Sequence, residues 1–140
     1  MDCALCDPAL GPVVGESRHW RVVLNLNQNL LGKVMIVCRR HVEPIVELTA
    51  DEWMDLHQAV QRASRALIAA FRPVHFNYAF LQNQDRHAHL HVLPRYDRAL
   101  EFAGERFEDP DHPSGASART QRLSRQALDV VAAELRRVWP

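Results

Sequence analysis

Residues 87–94, HAHLHVLP, place His87, His89 and His91 at alternate positions, with Ala88, Leu90 and Val92 between them. In an extended strand, residues i, i+2 and i+4 share a face. The pattern therefore predicts a strand whose apolar side packs inward and whose histidine side opens to a cleft or to solvent. Same-face neighbours lie about 6.5–7 Å apart, so the outer two histidines are about 13 Å apart along the strand. Zinc–nitrogen bonds are about 2.1 Å long, so one ion cannot gather all three. Two neighbours can share an ion if further ligands come from elsewhere. A row suits phosphorus chemistry better. A neutral imidazole attacks through one nitrogen when an acceptor holds the other N–H, and its neighbours donate to phosphate oxygens as charge builds up.

The rest of the chain supplies partners for that strand. HWRVVLNL (19–26) and KVMIVC (33–38) are β-rich runs separated by a polar turn, with Gly32 just before the second, and read as an antiparallel hairpin with a long loop. In LTADEWMDLHQAVQRASRALIAAF, Thr49 and Glu52 form a capping box, and Pro73 closes the helix. Trp53, Leu56, Val60, Ala63, Leu67 and Phe71 recur at helical spacing and predict one apolar face. HFNYAFLQ (75–82) is a further strand, joined to the histidine strand by the turn NQDR.

Strands around one strong helix predict an α+β domain with a mainly antiparallel sheet. At 140 residues the chain suits one domain: a core over 1–98, an irregular Pro- and Gly-containing loop over 99–119, and a C-terminal helix over 120–139. Leu128, Val131, Leu135 and Val138 mark the inner face of that last helix.

Basic and acidic residues each total 17, so the balanced charge argues against nucleic acid as a partner. Lys33 is the only lysine. No run is long and apolar enough to span a membrane, and the N-terminus lacks a signal-peptide pattern. Three cysteines argue against a disulfide framework, and the expected location is cytoplasmic. Cys3 and Cys6 form a Cys-x-x-Cys pair, which by itself fits a zinc half-site, a redox pair or neither. Cys38 lies in an apolar strand and reads as core.

HAHLHVLPR resembles the signature of the histidine triad family, His-φ-His-φ-His-φ-φ with φ apolar, at all seven positions. LLGKVMIVCRRHVEPIVEL is similar to that family's Gly-(His/Lys)-φ-φ-φ-φ-Pro-x-x-His region, and the two together span roughly residues 18–98. The resemblance implies the fold of that family, a sheet packed on the helix of 49–71, and a homodimer. It makes His89 the nucleophile that attacks the α-phosphorus of a nucleotide, and His91 the residue that contacts the phosphate oxygens. Asn25 is expected near the nucleoside. Asn83, Gln84 and Arg95 are expected near phosphate. Many members carry a glycine-containing loop before the triad, but NYAFLQNQDRH has no glycine. That departure shifts the expected phosphate contacts from backbone to side chains such as Asn83.

Some members of the superfamily, and the related galactose-1-phosphate uridylyltransferases, pair an N-terminal Cys-x-x-Cys with two histidines around a structural zinc. The equivalent set here is Cys3, Cys6, His41 and His87. The implied activity is hydrolysis of nucleotidyl phosphoanhydrides or phosphoramidates, such as diadenosine polyphosphates or adenosine phosphoramidate, with no catalytic metal required. The alternatives are a nucleotidyltransferase and a nucleotide-binding regulatory protein with little turnover. His91 favours water as acceptor, because the uridylyltransferases have glutamine at the third position. A metallohydrolase using two histidines of the row is a further rival.

Overall fold

Among the described residues of the computed structural model, which are 3–7, 9–116 and 119–140, five strands form one antiparallel sheet in the order β1-β2-β3-β5-β4. They are β1 (Val13–Glu16), β2 (Trp20–Leu24), β3 (Val34–Cys38), β4 (His75–Ala79) and β5 (His89–Arg95). Helix α1 (Ala50–Phe71) crosses from β3 to β4, and α2 (Arg125–Arg137) ends the chain. The expected α+β class, with a central and a C-terminal helix, is the observed one.

Alternation divides the sheet into two unlike faces. Val22, Leu24, Val34, Ile36, Leu90 and Val92 turn to one side and join Leu56, Ala63, Leu67 and Phe71 of α1 and Val131 and Leu135 of α2 in the main core. The other side carries a small cluster, Leu5, Val23 and Val37, covered by Cys3, Leu10, Val13 and Met35. The N-terminal segment therefore roofs the face that carries His89 and His91. Met35 pairs with His91, and Val37 with His89, across β3 and β5.

The capping box starts α1 as expected: Thr49 accepts from the Glu52 amide, and Glu52 accepts from the Thr49 amide. Glu52 then does more than cap. It is buried, it takes two hydrogen bonds from Arg40 (2.9 and 3.1 Å), and its carbonyl accepts from the Trp20 indole at 2.8 Å. The Arg40 guanidinium holds the Glu52 carboxyl down at about 2. Trp53, expected on the buried face, sits at its rim, 40% exposed and edge-on to Phe80. The helix ends at Arg72 in the left-handed conformation, ahead of Pro73.

Several elements differ from the pattern read in the sequence: β4 stops at Ala79 rather than at residue 82, and β5 starts at His89, so His87 is not on the histidine strand. Strand β1 was not foreseen, because VVGE is short and Gly-interrupted. Gly15 in it lies under the Trp139 indole, where an added Cβ would come within 2.2 Å of the ring. The 99–119 stretch is not all loop: β6 (Leu100–Phe102) and β7 (Glu105–Phe107) form a hairpin turning at Ala103 and Gly104, both at positive φ. Paired positive φ is the conformation of a primed turn, here without the Asn-Gly signal that betrays most of them. Residues 117 and 118 of that stretch lie outside the described residues. Helix α2 begins only at Arg125, where Ser124 caps it by accepting from the Ala127 amide.

Candidate metal centre and histidine cleft

Strand β5 begins at His89, so His87 stands just before it and faces a different set of neighbours. Its imidazole is fully buried. Nε2 lies 2.6 Å from the Cys38 carbonyl oxygen, which can only accept, so Nε2 carries the proton and Nδ1 keeps its lone pair. That Nδ1 is 3.4 Å from Cys3 Sγ, 3.4 Å from Cys6 Sγ and 3.1 Å from His41 Nδ1. Cys6 Sγ is also 3.4 Å from His41 Nδ1. Burial holds the His87 imidazole below its ordinary pKa, which favours the neutral, ligating form.

All four donor atoms lie within 4.8 Å of one another. Bonds of about 2.0–2.3 Å to a tetrahedral centre require donor–donor edges of about 3.3–3.8 Å. Four of the six separations, 3.1–3.4 Å, are at or slightly inside that range, and two thiols with two imidazoles suit a borderline-soft ion. Outer contacts of the kind that orient metal-bound imidazoles are also present: the Cys38 carbonyl behind His87, and Glu43 Oε1 at 3.7 Å from His41 Nε2. Cys3, Cys6, His41 and His87 could thus hold a metal ion. The motif pair is held beside the sheet by a short 3-10 turn, Ala4–Cys6, whose Leu5 is buried in the small cluster.

His89 and His91 are not part of that cluster. His89 Nδ1 donates to the His87 carbonyl oxygen at 2.6 Å, which leaves the Nε2 lone pair 3.1 Å from His91 Nε2. The two rings meet edge to face, with centroids 4.8 Å apart. With His89 Nε2 as acceptor, the proton between them belongs to His91 Nε2. Burial, the adjacent His89 and Lys33 pull the His91 imidazole down to about 4, against the opposing pull of Asp85. Lys33 is itself buried, donating to Asn29 Oδ1 at 2.6 Å, and burial lowers its ammonium to about 8.

Both histidines line a cleft of about 600 Å³. Leu10, Leu26 and Met35 form its apolar wall, while Asn25 and residues 82–85 supply the polar rim. Asn25 is placed by the β2–β3 loop. Buried Gln28 pins that loop by donating to the Asn25 and Lys33 carbonyls and accepting from the Gly32 amide. Gly32 sits at φ 87°, and a Cβ there would come within 2.5 Å of Leu67. Asn83 and Gln84 reach the same rim, on the glycine-free segment before the triad. Gln82 and Asp85 join them there without having been singled out in the sequence, since exposed polar residues in a turn carry no pattern of their own. The Gln82 amide also donates to the Glu43 carbonyl, tying the rim to the loop that carries His41.

Arg95 is the exception among the expected binding residues. It is 1% exposed, paired with Asp109 at 2.7 and 3.1 Å, and also bonded to Asn77 Oδ1 and the Ser114 carbonyl. The expectation that it meets a phosphate is corrected: the 108–114 segment covers it and occupies its donors.

The HIT domain family model matches residues 11–98, and the chain belongs to that family. Protein hit of Bacillus subtilis is 25% identical over 111 residues, covering 72% of this chain and 76% of that one. The crystal structure of a hypothetical histidine triad nucleotide-binding protein from Sulfolobus tokodaii superposes with a TM-score of 0.74 at 18% identity, covering 97% of this chain and 91% of that one. A Zn-bound histidine triad family protein from Mycobacterium smegmatis gives a TM-score of 0.69 at 18% identity, covering 98% and 95% of the two chains. Among the described residues no helix is long and apolar enough to cross a membrane.

Proposed function

We propose that the protein is a nucleotide hydrolase that releases a nucleoside monophosphate through a covalent nucleotidyl-histidine. The observation that carries the reading is the His89 hydrogen bond to the His87 carbonyl, which fixes the tautomer and leaves Nε2 as a nucleophile on the cleft wall. His89 Nε2 attacks the α-phosphorus and forms a P–N bond. The leaving group departs with the electron pair of its bond to phosphorus and takes a proton from solvent. Water then attacks phosphorus and loses its proton to solvent, and the P–N pair returns to Nε2. His91 Nε2–H, released from His89 when a phosphate enters, donates to a phosphate oxygen as negative charge grows there. Asn25 meets the nucleoside side of the cleft, and Asn83 and Gln84 meet the phosphates.

The four-residue cage holds zinc in a structural role and clips the N-terminal roof onto the sheet. The chain acts as a cytoplasmic homodimer. The unpaired outer edge of β4 and the exposed Tyr78 and Val74 support that association.

The test is chromatographic AMP release from diadenosine tetraphosphate, adenosine phosphoramidate and ADP-glucose, with chelator and with His89→Ala alongside. Release that survives brief chelation and disappears in the variant is expected. Release that the variant retains would overturn the mechanism. No release from any substrate, with nucleotide binding intact, would favour the transferase or regulatory reading.

A further inference from the structure

The Asn25 end of the cleft is held by a segment outside residues 11–98, the stretch that the HIT domain model matches. Asn25 is half-buried, and its Oδ1 accepts from the Asn27 amide at 2.9 Å. A backbone N–H can pair only with the oxygen of a side-chain amide, so Nδ2 keeps its two N–H donors for the cleft. Asn27 is itself fixed from far along the chain. Its Oδ1 accepts from the Gln121 amide at 2.9 Å and the Asn29 amide at 3.2 Å, and its Nδ2 donates to the Arg119 carbonyl at 3.0 Å. The Gln28 amide donates to the Gln121 carbonyl at 2.9 Å, and Asn27 and Arg122 form an antiparallel bridge. Residues 119–122 thus run as a strap along the β2–β3 loop. Buried Leu123 anchors the strap, as does the Gln121 side-chain amide, which donates to the Arg106 carbonyl at 2.9 Å.

Resting on the nucleotide reading of the histidine cleft, we infer that Asn27 is a positioning residue for nucleoside recognition, through which the 119–122 strap holds Asn25 as a hydrogen-bond donor on the cleft wall. Asn27 does not line the cleft, and its side chain is spent on the loop and the strap. Without the strap, the backbone of residues 25–29 gains freedom, and the Asn25 amide can turn either its oxygen or its nitrogen to the ligand. With the strap in place Asn25 offers N–H donors only. The nucleoside group it meets must then be an acceptor: a hydroxyl or carbonyl oxygen, or a ring nitrogen. Such coupling is reciprocal, so a ligand that engages Asn25 tightens the strap.

The experiment is a double-mutant cycle read by calorimetric titration of AMP into the zinc-loaded full chain. Asn25→Ala and Asn27→Ala should each weaken AMP binding about tenfold, and the double variant by little more than either alone, because both remove the same contact. Asn27→Asp keeps the acceptor for the Gln121 and Asn29 amides and should recover most of the affinity. Amide hydrogen exchange in the unsubstituted protein gives a readout that needs no variant. AMP should slow exchange at Gln28 and Gln121, whereas inorganic phosphate, which engages only the histidine end, should not. Unchanged affinity in Asn27→Ala, penalties that add in the double variant, or Gln121 exchange indifferent to AMP overturns the inference. Unchanged affinity in Asn25→Ala overturns it and leaves the nucleotide reading standing. Failure of AMP to bind the unsubstituted protein overturns both.

Discussion

His89 Nδ1 lies 2.6 Å from the carbonyl oxygen of His87, two residues back on the same strand, and that bond leaves Nε2 unprotonated against the cleft. Replacing the nucleophile should therefore abolish turnover while leaving the fold intact. His89→Ala is expected to lower AMP release by about 10³-fold or more, the scale on which loss of an essential nucleophile is felt. Mass spectrometry of the wild-type protein quenched during turnover should show one nucleotidyl adduct per chain, absent in the variant. An adduct on another residue would relocate the chemistry.

His87 Nδ1, Cys3 Sγ and Cys6 Sγ converge beside a roof that also forms the cleft wall at Leu10. Stripping the metal should thus loosen the wall and lower stability together. Exhaustive chelation, or Cys3→Ser, is expected to reduce Tm by roughly 5 °C or more, with zinc restoring it only in the wild type. Metal content near one zinc per chain in the purified protein would accompany that result. A Tm indifferent to zinc would dismiss the site.

The His91 imidazole, held at about 4 by burial, His89 and Lys33, predicts a pH window. Its folded value lies below the ordinary 6.5, so between those values the unfolded chain takes up a proton that the folded chain refuses. Its contribution to stability is fully present above 6.5 and is lost as pH falls through 4. An NMR titration of His91 in the wild type should show a midpoint near the lower value. Lys33→Met, by removing the neighbouring cation, should move it upward. A midpoint at the ordinary value would mean that the ring is solvated.

Arg95 and Asp109 form an ion pair in which both side chains are 1% exposed. Asp109→Ala leaves a buried guanidinium without its carboxylate, at a cost of about 3–5 kcal/mol. Urea denaturation should show the midpoint falling with the slope preserved, and AMP release per folded molecule should hold. Loss of catalysis in folded protein would restore Arg95 or its surroundings to the substrate site.

Gly15 presses against the Trp139 ring, closing α2 onto β1. Gly15→Val should force that indole out and destabilise the chain by about 1–3 kcal/mol, with a matching rise in tryptophan exposure to quencher. Unchanged quenching would mean that the C-terminus is free to shift.

Much of this molecule is visible in one dimension because strands and helices impose periods of two and about 3.6 on their side chains. The alternation of His89, Leu90, His91 and Val92 specifies a strand with one wet and one dry face. The Thr49–Glu52 spacing marks where α1 starts, and both appear in the fold. The resemblance carried by residues 87–93 also pointed to the Cys3, Cys6, His41 and His87 cluster. Cys3 and His87 are 84 positions apart, so only the fold could bring their donor atoms to 3.4 Å.

What periodicity could not convey depends on contacts between distant segments. Arg95 read as a phosphate ligand because nothing local shows that Asp109 and Ser114 fold over it. The β6–β7 hairpin escaped notice because its turn uses Ala103 and Gly104 and its strands have three residues each. A cavity of about 430 Å³ lies between residues 9–12 and α2, segments more than a hundred positions apart. Local sequence specifies which face a side chain takes, because backbone geometry repeats from residue to residue. Which groups then meet, and which are covered, is decided only when the sheet, the N-terminal roof and α2 pack together, because that contact depends on the whole chain at once.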